Sequence, residues 1–357
     1  MEVEFPDDFR CPISLEVMSD PVILTSGHTF DRSSIQRWLD SGNRTCPVTK
    51  LPLPPHPRLI PNHALRNLIS NFAPDPPSKL PSCHSAADPQ LLSFPSDAAT
   101  LSAAFRRAKL DAAFRRYLAD SGAASSVLLR HAASPDPPDL QELSLRVLLL
   151  LSLDGDHARV GLAADGAVDL LLPALRCGGS VAALAATTLT SLAVVDVNKC
   201  SIGAHPSAIP SLVAVLRDGK GRERREAATA LFVLCSLPEN RKRAAISGAV
   251  PALASLASLG SDRAVEVLGM LVKCSEGREA MKRIKGFVEF IIGIIKGGSL
   301  RATEHALVIL NFLCCDDKNI ILEVRKQGLV EICINLMNEE TGKIRENAVE
   351  FVRTMEM

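Results

Sequence analysis

The spacing of apolar residues differs between the two ends of the chain. Before residue 73, apolar positions form short groups that turn-forming residues separate. Two of these groups predict short strands, Pro21-Val22-Ile23-Leu24 and His28-Thr29-Phe30, which Thr25-Ser26-Gly27 would join in a turn. From Ala98 onward, apolar runs at helical spacing follow one another to the end of the chain. The sequence therefore predicts a small mixed segment followed by a long helical one.

Two helices are predicted within the first segment. The first begins after Asp31, a good N-cap residue, and ends at Gly42, which suits a left-handed C-terminal stop. Its apolar positions fall at helical spacing: Ile35, Trp38 and Leu39. The second opens at Pro61-Asn62 and would form one apolar face from Leu65, Leu68, Ile69 and Phe72. With the two strands, these helices predict a small, loop-rich α+β unit.

The same segment has the spacing of a cross-brace zinc domain, but most of the zinc ligands are missing. On that template the ligand positions are Cys11, Ser14, Ser26, His28, Asp31, Ser34, Cys46 and Thr49. Only Cys11, His28 and Cys46 are ordinary zinc ligands, and three residues scattered over two interleaved sites complete neither. Ser, Thr and Asp can hold the same loops by hydrogen bonds and charge. We therefore expect a polar network in place of metal.

Five ordered motifs give this segment a resemblance to the U-box of ubiquitin ligases. They are Cys11-Pro12-Ile13-Ser14, Asp20-Pro21-Val22, Ser26-Gly27-His28-Thr29-Phe30-Asp31-Arg32, Cys46-Pro47-Val48-Thr49 and Pro61-Asn62-His63-Ala64-Leu65. The resemblance covers about the first fifth of the chain and implies a metal-free, RING-like α+β domain over residues 5–73. Residues 74–97 carry several serines and six prolines, which favour an extended linker.

From residue 98 to 357 the chain repeats itself with a period of about 41 residues. The repeated phrase occurs as Gly166-Ala167-Val168, Ser207-Ala208-Ile209, Gly248-Ala249-Val250, Gly286-Phe287-Val288 and Gly328-Leu329-Val330. An Asn precedes three of these phrases, as Asn198, Asn240 and Asn319, and Gly277 takes that place once. A short polar side chain there predicts the N-cap of the first helix in each unit.

These repeats resemble armadillo repeats, which implies an all-α armadillo-repeat solenoid over residues 98–357. The units before Gly166 are the least regular. In such solenoids the last helix of each unit lines a concave surface that grasps another protein. Nuclear-import receptors carry Asn and Trp there; the matching residues here are Ser191, Val233, Met270 and Asn311, and Thr187, Thr229, Glu266 and Leu307. The missing ladder argues against nuclear-localisation peptides as the cargo.

Composition narrows the class of partner and the compartment. The 357 residues include 40 basic and 40 acidic side chains, so no global field attracts nucleic acid or an anionic membrane. No apolar stretch is long enough to span a bilayer, and the first residues lack the zones of a signal peptide. The ten cysteines follow no regular framework, which favours a reducing compartment. We expect an intracellular protein, cytoplasmic or nuclear.

The tandem resembles plant U-box armadillo proteins, which implies a ubiquitin-protein ligase of the RING type. Such a ligase forms no covalent ubiquitin intermediate, so it has no catalytic nucleophile and no cofactor; it docks a ubiquitin-conjugating enzyme charged with ubiquitin near a substrate lysine. The family's docking groove corresponds here to Ile13, Leu15, Trp38 and Pro47. Lys50 stands where a basic residue positions ubiquitin in many RING-like ligases. The repeats would hold a protein substrate that the sequence does not identify.

Other interpretations remain open at this point. Ile13, Leu15 and Trp38 could be core residues of a small domain. Cys11 and Cys46 could be transthiolating nucleophiles, although neither has a base arranged with it in sequence. The protein could also be a non-catalytic adaptor, or a zinc-dependent nucleic-acid binder, which the broken ligand set and zero net charge disfavour. U-box domains sometimes dimerise, so a homodimer is a further expectation.

Overall fold

The computed structural model describes residues 6–55, 57–62, 65–66, 68–69, 97–135, 137–339 and 342–356. The chain forms two compact units. The first comprises Met1–Ala174 with Val194–Asn198, and the second comprises Leu175–Ala193 with Lys199–Met357. None of the helices in the described ranges combines the length and the apolar character that a membrane span requires.

A three-stranded antiparallel sheet organises the N-terminal segment. Its strands are β1 (Pro21–Ile23), β2 (Thr29–Asp31) and β3 (Ile60–Pro61), in the order β2-β1-β3. Val22 pairs with Phe30 on one side and with Pro61 on the other. The two predicted strands are confirmed within one residue at each end. Sequence patterning missed β3, because a two-residue strand that contains proline has no alternation to detect.

The predicted helix that follows β2 is confirmed. It is α1 (Arg32–Asp40), and the Asp31 carboxylate caps it by accepting a hydrogen bond from the Ser33 N–H. Gly42, at φ +86°, ends the turn with its N–H donating to the Leu39 carbonyl. A 3-10 turn, Asp7–Phe9, precedes the sheet. The core lies between α1 and the sheet and contains Cys11, Met18, Val22, Leu24, Phe30, Ile35, Leu39, Cys46 and Leu53.

The second predicted helix lies partly outside the described residues. Its start is described: the Asn62 side chain accepts a hydrogen bond from the Leu65 N–H, as an N-cap does. Leu65 and Ile69 pack against the core, as the predicted apolar face requires. Phe72 and the predicted linker, apart from Asp97, lie outside the described residues.

From residue 97 onward, the described regular elements are helices. In chain order they are α2 (Ala98–Leu110), α3 (Ala112–Asp120), α4 (Gly122–Ala133), α5 (Pro138–Ser152), α6 (Asp156–Ala164), α7 (Ala167–Leu175), α8 (Gly179–Leu192), α9 (Asp196–Ala204), α10 (Ala208–Asp218), α11 (Arg222–Leu234), α12 (Pro238–Ile246), α13 (Ala249–Ala257), α14 (Asp262–Leu271), α15 (Ser275–Lys282), α16 (Phe287–Gly297), α17 (Leu300–Asp316), α18 (Lys318–Lys326), α19 (Leu329–Glu339) and α20 (Lys343–Glu356).

The helices form three-helix repeats whose third helices stack on one another. In the second unit α8 packs on α11, α11 on α14, α14 on α17 and α17 on α20. In the first unit α2 packs on α5 in the same way. Four of the five repeated phrases begin with a glycine at positive φ: Gly166, Gly248, Gly286 and Gly328. Each glycine makes the tight turn between the first and second helices of its repeat. An all-helical armadillo fold is confirmed.

The prediction that an asparagine caps the first helix of each repeat is wrong. Asn240 is the third residue of α12, whose N-cap is Leu237, and Gly277 lies likewise inside α15. The buried Asn240 side chain donates to the Leu234 carbonyl at 3.0 Å and to the Lys199 carbonyl at 3.4 Å. The sequence signal was real, but its cause is a bond to the preceding repeat.

The other members of this set show the same geometry or explain its absence. Asn198 donates to the Arg159 carbonyl of the preceding first helix at 2.9 Å. Gly277 has no side chain because a Cβ there would lie 1.9 Å from the Leu271 carbonyl oxygen. Asn319 stands second in α18, and Asp317 supplies the cap. The position therefore connects repeats at Asn198 and Asn240, whereas Asn319 is exposed near the start of its helix.

A groove beside two proline loops as the candidate functional site

Two loops of the N-terminal segment share one backbone design. In the first proline loop, Cys11–Glu16, the Leu15 N–H donates to the Cys11 carbonyl, and the Cys11 N–H donates to the Glu16 carbonyl, both at 2.8 Å. In the second proline loop, Cys46–Leu51, Lys50 and Cys46 make the equivalent two bonds, both at 2.9 Å. The repeated Cys-Pro-apolar-hydroxyl motif therefore encodes the same tight turn twice.

Each loop holds one side chain in a strained backbone conformation. Leu15 has φ +61° and Lys50 has φ +60°, and no other non-glycine residue in the described ranges has a positive φ. This conformation costs an L-residue about 1 kcal/mol or more, and glycine adopts it freely. Strain of this kind concentrates at functional sites, where the surrounding structure enforces it. The two loop tips are therefore candidate functional positions.

Cysteine sulfur atoms anchor the two loops to the rest of the fold. The Cys11 sulfur accepts a hydrogen bond from the Asp31 N–H at 3.2 Å, and the Cys46 sulfur accepts one from the Ser26 hydroxyl at 3.1 Å. Burial raises the pKa of both thiols, but hydrogen bonds to the sulfur outweigh it, so that each pKa lies below its usual value. The donors include the residues at the empty ligand positions, Ser14 for Cys11 and Thr49 for Cys46.

A buried carboxylate completes this network. Asp31 accepts hydrogen bonds from the N–H groups of Ser19, Asp20 and Ser33 and from two serine hydroxyls. Burial raises the pKa of Asp31, but these bonds outweigh it and lower the pKa below the usual range. The predicted polar network is present, with Cys11 paired to Asp31 and Cys46 paired to Ser26 in the crossed order of the zinc template. The described residues contain no cluster of three or more metal-ligating side chains.

A groove of about 420 Å³ lies between the first proline loop and α1. Its lining consists of Ile13, Ser14, Ser34, Arg37, Trp38 and Ser41. The Trp38 indole N–H donates to the Thr45 carbonyl at 2.9 Å, and the Asn43 amide donates to the Trp38 carbonyl. Trp38 therefore lines the groove with its ring and fixes the approach to the second proline loop.

The structure brings together two of the five predicted site residues in this groove, Ile13 and Trp38. Both also pack against the core with part of their surface, so the core and groove interpretations each describe one side of them. Leu15 is 70% exposed and is not a core residue. Pro47 is half-buried, and the exposed Lys50 donates from its ammonium to the Pro47 carbonyl at 2.7 Å. Leu15, Pro47 and Lys50 lie outside the groove lining.

Sequence reasoning missed several residues of this surface. Arg37 and Ser41 line the groove because they share one helical face with Trp38, a signal available from the 3.6-residue period. Val48 and Leu51 of the second proline loop are 43% and 61% exposed. Val48 occupies the place that Ile13 has in the first loop, so the repeated motif could have indicated it. The candidate surface is therefore apolar on both loops, with one guanidinium at its helix.

Three residues with reactive side chains, two cysteines and a histidine, have structural surroundings. Cys11 and Cys46 are fully buried and accept hydrogen bonds, which leaves their sulfur atoms without access to a thioester. The His28 Nδ1 atom lies 3.1 Å from the Ser26 carbonyl oxygen, which can only accept, so Nδ1–H is the donor. His28 is thereby committed to shaping its own turn.

The third helices of the second unit carry the positions considered for cargo binding. Asn311 and Leu307 are buried, and the Asn311 amide donates to the Asn347 carbonyl at 3.0 Å, so both hold α17 in place. Glu266 is also buried, and its carboxylate forms ion pairs with Arg263 and Arg301. These three positions are buried and hold helices together, so they do not form an exposed Asn and Trp ladder.

The fold and the loops define a class: a small cross-brace domain held by hydrogen bonds, joined to armadillo repeats. Comparison with known families agrees. The U-box domain family matches residues 5–75, and the plant U-box protein ARM repeat region matches residues 96–357. The chain belongs to the plant U-box armadillo-repeat family, in which ubiquitin ligation is the general role.

Individual relatives agree with this assignment. The chain is 49% identical to U-box domain-containing protein 8 of Arabidopsis thaliana over 99% of this chain and 98% of that protein. It is 30% identical to U-box domain-containing protein 17 of the same plant, of which it spans about half, 53%. The designed armadillo repeat protein YIII(Dq)4CqI superposes with a TM-score of 0.56 at 17% identity, over 64% of this chain and 99% of that one. This last likeness concerns the fold alone.

Proposed function

We propose that this protein is a ubiquitin-protein ligase whose U-box docks a charged ubiquitin-conjugating enzyme and whose repeats hold a protein substrate. The observation that carries the proposal is the pair of strained loop tips beside an open groove. Leu15 and Lys50 are held at positive φ, and Ile13 and Trp38 line the groove between the first loop and α1. A purely structural domain gains nothing from this strain, whereas a docking surface does.

In the proposed mechanism the ligase contributes proximity and orientation. Ile13, Leu15, Trp38 and Pro47 supply the apolar contact that holds the conjugating enzyme. The enzyme's own cysteine carries ubiquitin, and the substrate lysine attacks that thioester directly. Holding the two reactants together converts an encounter in solution into a local reaction. The buried Cys11 and Cys46 take no part in transfer.

Lys50 is proposed to position the thioester-linked ubiquitin. Its ammonium group donates to the Pro47 carbonyl in the free protein, so it must give up one bond to reach a partner. Lysine has three rotatable donors, which permits this exchange, but it offers less fixed geometry than arginine. We therefore expect Lys50→Ala to slow ubiquitin transfer without weakening enzyme docking. Lys50→Arg, which keeps the positive charge, should keep the wild-type rate.

An autoubiquitination assay with a panel of conjugating enzymes tests the proposal. Wild-type protein should be active in the presence of a zinc-selective chelator that leaves Mg²⁺ for ATP, and Ile13→Ala and Pro47→Ala should each reduce the rate at least about tenfold, the loss expected at an interface hot spot. Leu15→Ala should reduce it less. Leu259→Ala is the matched control, because Leu259 is 73% exposed in the repeats and Leu15 is 70% exposed.

The outcome can fail in two distinguishable ways. Activity that survives Ile13→Ala and Pro47→Ala would remove the groove from the mechanism. Wild-type protein that is folded but inactive with every conjugating enzyme would instead favour the non-catalytic adaptor. Trp38 is the single tryptophan of the chain, so its fluorescence shows in each sample whether the U-box is folded.

A further inference from the structure

The U-box sheet has a second apolar face that its own core does not cover. Val22, Leu24 and Phe30 belong to the main core beside α1. Ile23 and Ile60 belong to a separate cluster, because successive side chains of a strand point to opposite faces. They are nonetheless only 7% and 4% exposed. Another part of the chain must therefore cover them.

The covering side chains come from the first unit's repeats. Val160 on α6 completes the cluster with Ile23 and Ile60, and Ala164, Val195 and Val197 pack around it. Contact is close at two glycines. A Cβ built on Gly161 of α6 would lie 3.8 Å from the Ile60 side chain, and one on Gly27 would lie 3.9 Å from the Val197 Cβ. The turn between β1 and β2 therefore rests directly on the first turn of α9.

We infer that the back of the U-box sheet is an intramolecular docking surface whose partner is α6 and residues 194–197 of the same chain. Burying Ile23, Ile60 and Val160 together removes apolar area from water that a free U-box would expose. The contact joins segments more than 90 residues apart, so chain connectivity alone does not explain it. The U-box is then a fixed head on the first repeats and not a domain that swings on a linker.

This docking leaves the enzyme groove accessible. Each residue of the groove lining belongs to the U-box itself, and Leu15 remains 70% exposed. If the proposed ligase function holds, a docked U-box presents the conjugating enzyme in one orientation relative to the first repeats. Transfer would then favour lysines in one region of a bound protein. The docking itself requires no ligase activity and can be tested without it.

A designed disulfide tests the docking directly. In Gly27→Cys/Val197→Cys, the 3.9 Å separation of the Cβ positions falls in the range that a disulfide needs, and replacing Val197 removes the Cγ2 methyl that lies 2.9 Å from the new Cβ. Mild oxidation of the full chain should link the two residues, detected as a joined peptide by mass spectrometry. A U-box held only by a linker would bring them together at an effective concentration of about millimolar, and linking would be slow.

A matched pair of variants at one position separates docking from tethering. Gly161→Ala adds a Cβ at ordinary contact distance from Ile60 and should leave the linking rate unchanged. Gly161→Arg forces a long side chain into the contact and should slow linking about tenfold or more, as expected when only the tether remains. Equal rates in the two variants would overturn the inference, as would the absence of the link in a protein with a folded U-box.

A second measurement avoids the strain that a side chain meets at Gly27. Ile60→Cys places a thiol in the docked face, where the native side chain is 4% exposed. Its maleimide labelling, followed at that peptide by mass spectrometry, should be at least about tenfold faster when Gly161→Arg is added and unchanged when Gly161→Ala is added. Fast labelling without Gly161→Arg would show a face that is already open and would contradict docking.

The locked protein also shows whether docking belongs to the working state. Autoubiquitination by the disulfide-linked chain should match that of the same chain after reduction. Loss of activity only in the linked form would overturn the fixed-head arrangement as the working one. If neither form nor the wild type is active, the ligase proposal fails, and the cross-linking and labelling results still decide the docking.

Discussion

The U-box and the repeats hold their backbones with opposite kinds of side chain. In the U-box, acceptors take hydrogen bonds from backbone N–H groups: the Asp31 carboxylate accepts three, and the Cys11 sulfur accepts that of Asp31 besides those of its own loop. In the repeats, donors reach backbone carbonyls. Asn240 donates to Leu234, and Arg278 donates to Val272, each at the end of a third helix.

The difference follows from what each backbone leaves unpaired. Tight loops and a helix N-terminus offer N–H groups, which an acceptor can satisfy without a metal. Stacked helices offer the last carbonyls of each helix, which need donors. Both regions place glycines at positive φ, Gly27 and Gly42 in the U-box and Gly166 and Gly248 in the repeats. Among the described residues, only the two proline loops of the U-box also place side chains there, those of Leu15 and Lys50. The side chain required is therefore set by the local backbone.

The largest effect on stability should come from removing the central acceptor of the U-box. Asp31→Ala leaves three N–H groups without their partner, and we expect a loss of about 3 kcal/mol in U-box stability. Urea unfolding followed by Trp38 fluorescence measures it. Asp40→Ala is the control, because Asp40 lies exposed at the other end of α1. Equal midpoints for the two variants would show that the network contributes little.

The contribution of the same carboxylate should also depend on pH. The hydrogen bonds of Asp31 outweigh its burial and lower its pKa, so its stabilisation is complete above the unfolded-state pKa of about 3.9 and is lost as pH falls through the folded-state value. The Trp38 transition should therefore weaken below about pH 4 in the wild type. Asp31→Asn should lose this part of the acid sensitivity.

The equivalent substitution in the repeats is Asn240→Ala. It removes a buried donor to two carbonyls and leaves a space above Gly203, where a Cβ would lie 2.0 Å from the Asn240 side chain. We expect a loss of about 2 kcal/mol, measured as a lower midpoint in far-UV circular dichroism. Glu239→Ala, at the exposed neighbouring position, should leave the midpoint unchanged. A smaller effect for Asn240 than for Glu239 would contradict the connecting role.

The two cysteines test whether the kind of donor matters. Both sulfur atoms also accept hydrogen bonds from N–H groups of their own loops. Beyond these, Cys11→Ala orphans the Asp31 backbone N–H, which cannot turn away, whereas Cys46→Ala frees a Ser26 hydroxyl that can rotate to another partner. Both sulfur atoms are fully buried, so the packing losses are comparable. We expect about 2 kcal/mol for Cys11→Ala and about 1 kcal/mol for Cys46→Ala in the urea experiment. The reverse order would show that the donor is unimportant.

Asp165 places a carboxylate at a helix C-terminus, where the unpaired backbone groups are carbonyls. Its effect on stability should therefore change with pH in the opposite direction to that of Asp31. Asp165 is the C-cap residue of α6, and burial, only partly offset by the nearby Ser125 hydroxyl, raises the pKa of its carboxyl to about 7. The folded state therefore keeps its proton longer than the unfolded state, and stability falls as pH rises from about 4 to about 7. Asp165→Asn should stabilise the protein by roughly 1 kcal/mol at pH 8.

The control for this prediction is pH itself. At about pH 4 Asp165 is protonated in the folded state, so Asp165→Asn should bring little gain there. Thermal unfolding at the two pH values measures both. A gain of the same size at pH 4 would point to packing or propensity and not to the charge.

The smallest effect should come from relieving the strain at a loop tip. Leu15→Gly removes the cost of a positive φ at an exposed position, and the U-box should keep its stability or gain up to about 1 kcal/mol. Its autoubiquitination should nevertheless fall several-fold, because the apolar side chain is lost. Stability and activity would then move in opposite directions, which a structural role for Leu15 does not allow.

Much of the U-box could be predicted because its signals are local. The cap at Asp31, the stop at Gly42 and the cross-brace pairing all follow from residue types at short spacing. The third strand could not be predicted, since its pairing with β1 is set by distant contacts. For the candidate surface, the resemblance to the U-box implied Ile13 and Trp38, which line the groove, but it could not show that Lys50 bonds to its own loop.

The repeats show the complementary limitation. Their period was visible, but the role of Asn240 was not, because its partner Lys199 lies one repeat away and contributes only a backbone carbonyl. A carbonyl carries no residue identity, so no sequence pattern marks it. The contact of Ile60 with Val160 on α6 was hidden for another reason: both are ordinary apolar residues far apart in the chain, and no local pattern pairs them.

The asparagine bonds also determine how many residues can be inserted into or deleted from the repeats without loss of these contacts. Asn198 reaches back 39 residues and Asn240 reaches back 41, each to the same place on the preceding first helix. Removing one whole period would deliver the next asparagine to an equivalent carbonyl, whereas removing half a period would deliver it to none. Evolution and protein engineers should therefore find that this array lengthens or shortens by complete repeats.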